Sequence, residues 1–579
     1  MIDTTNQNSA LASALVEELG RCGVTTAVLS PGSRSTPIAL ALDREPGVSV
    51  TVVLDERCAG FVALGAGLAS RAPAIVACTS GSAAANLHPA VVEADQAGVP
   101  LIVLTSDRPP ELRGIGAGQT IDQIGLYGAA ARWFCEVGTH EANDAGLIHM
   151  RSTGIRAYAE ATQARGPVHL NLSWRDPLGP EEQRELVTAS DPVALDGRSK
   201  RRPLTVPIEG REPGEALVAA LTESVSGAER GVIVAGRHAE PDLPAALAAL
   251  SMASGFPILA EPTSQLRFGS HDRAAVIGSY DLIARARPPA LVPDLVLRFG
   301  DMPTSKPLRK WIAESGVDQI VIDPPGHWNE PTRRAGAFVR ADAVSVAVAL
   351  AERTEVAGHE WGSRWTDAEG AAQGAIDAVL DGFEGLSEPG VHRALGAVFA
   401  GGDQVLTASS MPVRDAEAFI AGGDADVRFY SNRGANGIDG LVSTACGLAI
   451  GGSGSTWVVL GDLALAHDLG GLAAIQATDT PLRLVAIDNG GGGIFDFLPQ
   501  AGQIEAKRFE RLFTTPSALD LERVAGLFEL PYVAVEELNE LEGLADHPLV
   551  MAHVRVERAG NVELHGRLAE AVAQAVAEG

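Results

Sequence analysis

Cysteine is sparse in this chain: Cys22, Cys58, Cys78, Cys135 and Cys446 are scattered, odd in number and form no Cys-x-x-Cys pair. That distribution excludes a disulfide framework and a thiolate zinc site. Positive charge is also short, with 45 Lys and Arg against 73 Asp and Glu and a net charge of −28. Such a balance argues against non-specific binding to nucleic acid or to an acidic membrane surface. No apolar run is long enough to span a bilayer. The opening segment MIDTTNQNSALASALVEELGRCG has no basic stretch followed by an apolar core, so no signal peptide is expected there. The expectation is a cytoplasmic protein. Apolar residues make up 46% and charged residues 20% of 579, a globular balance in a chain too long for one core. An anionic substrate would have to be drawn in by a local basic cluster, against the overall field.

Short apolar strands alternate with amphipathic helices through the first 110 or so residues. TTAVLS, VSVTVVL, PAIVACTS and PLIVLTS read as strands, separated by helical patterns such as CAGFVALGAGLAS. This alternation implies a parallel sheet covered on both faces, with ligands gathering at the carboxyl edge. The expected edge carries Ser33-Arg34, Glu56, Ser80-Gly81-Ser82 and Asp107-Arg108. A charged, proline-punctuated stretch follows from about 175 to 215. GVIVAGR, FPILAEP, LVLRFGDMP and QIVIDPP then mark a second α/β segment, and residues 350–390 read as helix plus linker. DQVLTAS, VRFYS, TWVVLGD, LRLVAIDN and PLVMAHVRVE mark a third. The expected architecture is α/β: three doubly wound domains with mainly parallel sheets, over residues 1–185, 205–355 and 375–579. The first and third share a style, as an internal duplication would.

Asp462 ends one strand and Asn489 ends the next, with one crossover between them, which can bring both side chains to one sheet edge. A carboxylate and an amide oxygen are hard ligands suited to magnesium, which shares its octahedral shell with phosphates. The glycines after Asn489 leave backbone amides and a carbonyl free to approach a ligand. Two plainer readings stand beside this one. Gly-Asp and Asn-Gly are common turn formers, and a glycine-rich turn also serves dinucleotides, although GGGGIF lacks the G-x-G-x-x-G spacing. Glu56, where an apolar strand meets a helix, is equally open. It is either a carboxylate favoured by the helix dipole, or an acid buried among Leu54, Phe61 and their neighbours with a raised pKa.

Seven separated stretches point in one direction: SPGSRSTP, DERCAGFVALGAGLA, TSGSAAANLHPAVVEA, SDRPPELRGIGAGQT, FGDMPTSKP, SNRGANGIDG and GDLALAHDL with DNGGGGIFDFLP. Together they resemble the 2-succinyl-5-enolpyruvyl-6-hydroxy-3-cyclohexene-1-carboxylate synthases, a family of thiamine diphosphate enzymes in menaquinone biosynthesis. The resemblance runs in order through nearly the whole chain, strong in the first and third domains and thin in the second. Wider relatives read Gly-Asp-Gly and Asn-Asn; here the residues are Gly461-Asp462-Leu463 and Asp488-Asn489, and the first departure is typical of this family.

The resemblance implies decarboxylation of 2-oxoglutarate and addition of the resulting succinic-semialdehyde carbanion to isochorismate. It implies thiamine diphosphate as cofactor, with magnesium, or manganese, held by Asp462, Asn489 and the carbonyl of Gly491. Glu56 would contact the pyrimidine and Ile438 would prop the cofactor's bend. Ser410, Gly461, Leu463 and Ile494 complete the cofactor set. Ser33, Arg34, Arg108, Gln119, Lys306, Ser410, Arg414, Arg433, Phe495 and Leu498 would face substrate, with Ile494 beside them. Arginine suits the planar carboxylates of both substrates. Two departures stand out: Gly118 replaces a common asparagine, and Pro307 stands where a second basic residue commonly follows Lys306. His88, His467 and His565 are read as loop or capping residues, and the acids of 539–546 as a solvated face. By the same resemblance the first and third domains pair across a homodimer, or a dimer of dimers, with active sites between chains. Two alternatives remain at this stage: another thiamine diphosphate decarboxylase or carboligase of the acetohydroxyacid synthase kind, and a non-catalytic binding protein on the same scaffold.

Overall fold

The computed structural model describes residues 2–206, 212–354, 360–478 and 480–578. Residues 207–211 of the expected linker, residues 355–359 from the expected end of the central domain, residue 479 and the two end residues lie outside that set. Three six-stranded sheets make up the framework. The first holds β1 (Thr26–Leu29), β2 (Ser49–Val52), β3 (Ala74–Cys78), β4 (Leu101–Asp107), β5 (Trp133–Gly138) and β6 (Pro167–Ser173), in the order β2-β1-β3-β4-β6-β5. The second holds β7 (Gly231–Ala235), β8 (Ile258–Ala260), β9 (Val276–Ile277), β10 (Leu295–Phe299), β11 (Asp318–Ile322) and β12 (Ala335–Val339), in the order β12-β11-β10-β7-β8-β9. The third holds β13 (Gln404–Thr407), β14 (Arg428–Tyr430), β15 (Thr456–Gly461), β16 (Leu482–Asp488), β17 (Tyr532–Val535) and β18 (Leu549–Arg555), in the order β14-β13-β15-β16-β18-β17. The sheets are parallel, as the apolar strand runs require.

Numbered within each sheet, the first and third have one strand order, 2-1-3-4-6-5, which is the structural form of the shared style seen in the sequence. The second has 3-2-1-4-5-6, the order of dinucleotide-binding sheets. Its first crossover nevertheless opens with Gly236-Arg237-His238 and carries no glycine fingerprint.

Contacts group the chain into two compact units. One comprises Met1–Glu209, Asn432–Ser453 and His467–Leu482; the other comprises Gly210–Ser431, Gly454–Ala466 and Arg483–Gly579. In the first unit the Gln7–Cys22 helix buries Leu11, Leu15 and Leu19 against the sheet. It also meets the Asp144–Gln163 helix, where the fully buried Arg151 pairs with Glu17 at 2.7 Å and Glu18 at 2.9 Å. The Glu56–Ser70 helix crosses the Leu441–Gly451 helix through glycines: a Cβ on Gly65 would fall 2.0 Å from the Thr444 carbonyl oxygen. Only hydrogen at both crossing points lets the backbones approach so closely.

The second unit contains the other two sheets apart from Leu482. The long Glu360–Asp381 helix and the final Asn561–Glu578 helix pack on one another there. Trp365, Ile376, Leu568 and Val572 are buried in their shared core.

Candidate active site

In the second unit, β15 ends at Gly461 and Asp462 opens the next helix, as its Gly-Asp turn suggested. Asp462 is 3% exposed, and its carboxyl accepts backbone N–H groups of Leu463 and Gly491. Burial, and then the nearby charge of Asp488, push its pKa up to about 6. Asn489 is the first residue after β16. Its Nδ2 donates to Glu388 Oε1 at 2.6 Å. Asp462 Oδ2 and Asn489 Oδ1 are both buried and neither has a hydrogen-bond partner.

Two partnerless buried oxygens at adjacent strand ends are costly unless something fills the space between them and water. They suit a hard divalent cation, and such an ion would relieve the pressure on the Asp462 carboxylate. Among the described residues no group of three or more His, Cys, Asp or Glu is placed to hold a metal. An ion here would therefore have to complete its shell from groups other than those side chains, such as a backbone carbonyl, a phosphate ligand and water, as magnesium commonly does.

The Gly490–Gly493 turn frames that position. Gly490 has φ 74° and Gly491 φ 131°, and a Cβ on Gly491 would lie 2.4 Å from the Thr514 carbonyl oxygen. Gly492 N–H donates to the same oxygen at 2.7 Å. Only glycine meets both demands at residue 491. Asp488, one residue before Asn489, is bonded by His553 at 3.0 Å, and that bond holds its carboxyl below the ordinary range.

Behind Asn489 stands a set of buried ionisable groups that the sequence pattern does not reveal. Glu388 is 2% exposed and opens the Glu388–Val398 helix after the capping Ser387. Burial above all, and then the charge of Asp415, push its pKa up to about 8. Asp415, 1% exposed, bonds His565 Nε2 at 2.8 Å. His565 Nδ1 meets the Asn561 carbonyl at 2.8 Å, and Asp415 raises the imidazole's pKa against the opposing effect of burial. The loop or capping role expected for His565 is therefore corrected: it sits on the final helix, inside this network, because its ring meets Phe419 edge-on at 5.4 Å and its Nε2 reaches Asp415, both on the Met411–Phe419 helix. His88 opens a helix and meets Tyr127 edge-on at 5.5 Å, and His467 is exposed. Glu540, Glu542 and Asp546 are exposed, as expected of a solvated face.

In the same unit Lys306 is exposed at the start of the Lys306–Ser315 helix, with Pro307 in its first turn. The preceding Ser305 is pinned by Asp281 at 2.5 Å and by Glu417 at 3.0 Å. Ser410 has φ 79° and its carbonyl accepts from Arg414, which lies in the Met411–Phe419 helix. Ile494 and Phe495 are half-buried, Phe495 meeting Phe513 at 5.7 Å, while Leu498 is exposed. Leu463 is half-buried beside Asp462.

The first unit gathers the other sheet edge. Glu56 is the first residue of its helix and accepts from Asn86 Nδ2 at 3.3 Å. Of the two readings open for Glu56, the one that buries it among Leu54 and Phe61 is corrected: Glu56 is half-buried, Phe61 is buried, and Leu54 is 83% exposed. The reason is its place beyond β2, an edge strand that is itself half-solvated. Arg34 is 8% exposed, donates to the Trp174 carbonyl at 3.0 Å, and keeps a buried Nε without an acceptor. Burial first, and then the charge of Arg108, push its pKa down. The two guanidiniums therefore act on one another, with Asp176 and Asp107 opposing that effect on Arg34. Arg108 donates to the Gly118 carbonyl at 3.0 Å and to Ser80 Oγ at 3.3 Å. Gln119, at φ 54°, donates to the Ser80 carbonyl at 2.9 Å. Ser33 is exposed beside Arg34, and Arg433 and Ile438 are half-buried within this unit's Asn432–Ser453 segment.

Two thiamine enzyme profiles match the chain: the thiamine pyrophosphate enzyme N-terminal TPP binding domain over residues 10–126 and the middle domain of thiamine pyrophosphate over residues 219–406. With the three parallel sheets, these place the protein in the class of thiamine pyrophosphate enzymes. Curated relatives carry the match across the whole chain. Proteins of Myxococcus xanthus (41% identical over 100% of both chains), Geobacillus kaustophilus (41% over 98% and 99%) and Thermobifida fusca (42% over 99% and 100%) each bear the name 2-succinyl-5-enolpyruvyl-6-hydroxy-3-cyclohexene-1-carboxylate synthase. The chain belongs to the 2-succinyl-5-enolpyruvyl-6-hydroxy-3-cyclohexene-1-carboxylate synthase family.

Proposed function

We propose that this protein is the synthase of that name, joining 2-oxoglutarate, after its decarboxylation, to isochorismate in menaquinone biosynthesis with thiamine diphosphate and a divalent ion such as magnesium. The observation that carries the reading is the pair of buried, partnerless oxygens, Asp462 Oδ2 and Asn489 Oδ1, at neighbouring strand ends. When bound, thiamine diphosphate supplies the electron sink that lets a 2-oxo acid lose carbon dioxide and pass its acyl carbon to an acceptor. The chain's own groups do the rest. Asp462, Asn489 and the Gly491 carbonyl hold the ion, with Gly461, Leu463, Ser410, Ile438 and Ile494 around the cofactor. Glu56 shares a proton with the pyrimidine.

Arg34 and Arg108, with Ser33 and Gln119, bind substrate carboxylates, and the buried free Nε of Arg34 supports this role. Lys306, Arg414 and Arg433 supply further positive charge, and Phe495 and Leu498 the apolar wall. Planar guanidiniums match four carboxylates spread over two substrates. The domains are taken as 1–185, 205–355 and 375–579.

A second copy of the chain would complete each site, giving a dimer or a dimer of dimers. The exposed Val52, Leu54, Ile115 and Ile124, around Glu56 and in the loop after β4, support this, since apolar groups so placed favour a covering surface. A fully active monomer in sedimentation and kinetics would refute it. Among the described residues no helix is long and apolar enough to cross a membrane, and we place the enzyme in the cytoplasm.

The deciding assay mixes protein, thiamine diphosphate, magnesium, 2-oxoglutarate and isochorismate. Isochorismate consumption that needs every other component is the expected result. Carbon dioxide release from pyruvate in preference to 2-oxoglutarate would move the chain to another branch of the class.

A further inference from the structure

An amide has two ends of nearly equal size and opposite polarity, and only its oxygen can serve a cation. At Asn489 something must therefore decide which end faces Asp462. Glu388 Oε1 lies 2.6 Å from Asn489 Nδ2. A carboxyl oxygen at that distance accepts from N–H, whereas a turned amide would set two oxygens against each other. The contact leaves Asn489 Oδ1 buried and without a partner, on the side away from Glu388.

We propose that Glu388 is a positioning residue for the divalent ion, holding the Asn489 amide so that its oxygen, and never its NH2, faces the ion. The proposal rests on the reading of Asp462 and Asn489 as ion ligands. Glu388 is held in turn. It opens a helix capped by Ser387, which accepts from Gly390 N–H at 3.2 Å. Its own carbonyl meets His392 Nδ1 at 2.8 Å. Its carboxyl also shares a hydrogen bond with that of Asp415, and Asp415 is fixed from its other side by His565. The order of support runs from the final helix through Asp415 and Glu388 to Asn489. Outer partners of this kind set the orientation of metal ligands, and their loss typically costs ~10–100-fold in metal affinity. The orientation does not depend on where a proton sits in the pair, because Oε1 accepts from the amide in either state.

The test uses the full chain and four variants: Glu388→Gln, Glu388→Leu, Asp462→Ala and Asn489→Ala. Calorimetry with thiamine diphosphate at graded magnesium gives the magnesium concentration for half-maximal binding, manganese binding by electron paramagnetic resonance gives an independent value, and melting of the ligand-free protein reports folding. Glu388→Gln keeps an acceptor for Asn489 and an N–H for Asp415, so it is expected to bind the ion within about threefold of wild type. Glu388→Leu is expected to need ~10–100-fold more magnesium, while thiamine diphosphate affinity at saturating magnesium and the ligand-free melting temperature stay close to wild type. Equal ion affinity in wild type and Glu388→Leu overturns the proposal, as does an equally large loss in Glu388→Gln. The ligand reading fails separately, if Asp462→Ala and Asn489→Ala still bind the ion normally. Loss in those two with no loss in Glu388→Leu leaves the ligand reading standing and removes Glu388 from it.

Discussion

The two compact units both bury charge in their interiors, Arg151 and Asp468 in the first and Arg267 and Glu417 in the second, and they differ at their sheet edges. In the first, Arg151 is fully buried and satisfied from within, by Glu17, Glu18 and the Ala194 carbonyl. Its sheet edge is open, with Glu56 half-exposed and Leu54 in solvent. In the second, Asp462, Glu388 and Glu417 are acids pushed up toward the neutral range by burial. Two sheets of identical strand order therefore carry different duties. One presents a half-exposed carboxyl and arginines at its edge; the other holds buried, partnerless oxygens on Asp462 and Asn489 in front of acids whose protons burial retains. Burying an uncompensated polar oxygen costs stability, and the partnerless Asp462 Oδ2 and Asn489 Oδ1 are therefore what supports the ligand site proposed in the second unit.

The sharpest way to break this contrast is at Glu56. Glu56→Gln is expected to lower turnover by ~10²–10⁴-fold, the usual range for a lost proton-transfer partner. Magnesium-dependent binding of thiamine diphosphate should stay near wild type, because the ligands proposed for the ion belong to the other unit. Steady-state kinetics beside calorimetry checks both halves. If ion binding falls as well, the division of labour between the two edges is wrong.

Gly491→Ala tests the other edge through its backbone. The residue sits at φ 131°, and the added carbon would meet the Thr514 carbonyl at 2.4 Å. Strain of this kind costs ~1–3 kcal/mol, and here it would displace the N–H that reaches Asp462. The expected outcome is at least a tenfold loss of ion-dependent cofactor binding and a lower melting temperature. A substitution at Gly118, on the first unit's edge, should do neither.

How much of this was legible in the sequence depends on how each element is buried. Interior strands such as β3, β4, β7, β10 and β16 are continuous apolar runs and read plainly. The sequence pattern marks no strand at β5, β9, β12 or β17, and all four are sheet edges, where one side meets solvent and the apolar run fails. It also passes over β6, an interior strand whose His169 and Asn171 interrupt the pattern while bonding Thr105 at 2.7 and 2.9 Å. The ligand candidates were visible because strand-end polar residues beside glycines are local signals. Glu388, Asp415 and His565 were not, since they come from three distant helices and only tertiary packing brings them to Asn489. Glu388 in particular has the local look of a helix-start acid in a linker.

Glu417 offers a smaller, pH-dependent test of the second unit's burden of acid. Burial first, and then Glu261 and Asp281, raise its pKa from 4.5 to about 8. The folded state thus keeps a proton that the unfolded chain gives up. The stability tied to that proton is fully present below pH 4.5 and is lost as pH rises through about 8. Glu417→Gln has no proton to lose and keeps an acceptor for Ser305 N–H and Tyr280 O–H. Its melting temperature should match wild type near pH 4.5 and exceed it most above pH 8, by an amount worth about 1–3 kcal/mol. A gap that stays constant across that range would mean the carboxyl is already ionised in the fold.

The smallest effect belongs to the first unit's open edge. Gly118 has no positive φ, and a Cβ placed there meets nothing within 4 Å, so the backbone does not demand glycine. What residue 118 contributes is its carbonyl, which holds Arg108 at 3.0 Å and is kept by any side chain. Gly118→Asn should therefore change stability by no more than about 0.5 kcal/mol. If the missing amide matters to recognition, the variant will lower the KM for one carboxylate substrate by a few-fold and leave kcat unchanged. An unchanged KM for both substrates would mean that Arg34 and Arg108 already saturate the anion's acceptor oxygens, and that this edge is complete without residue 118. A fall in kcat would instead place residue 118 close to the reacting carbon, and the open edge of the first unit would then be part of the chemistry as well as of recognition.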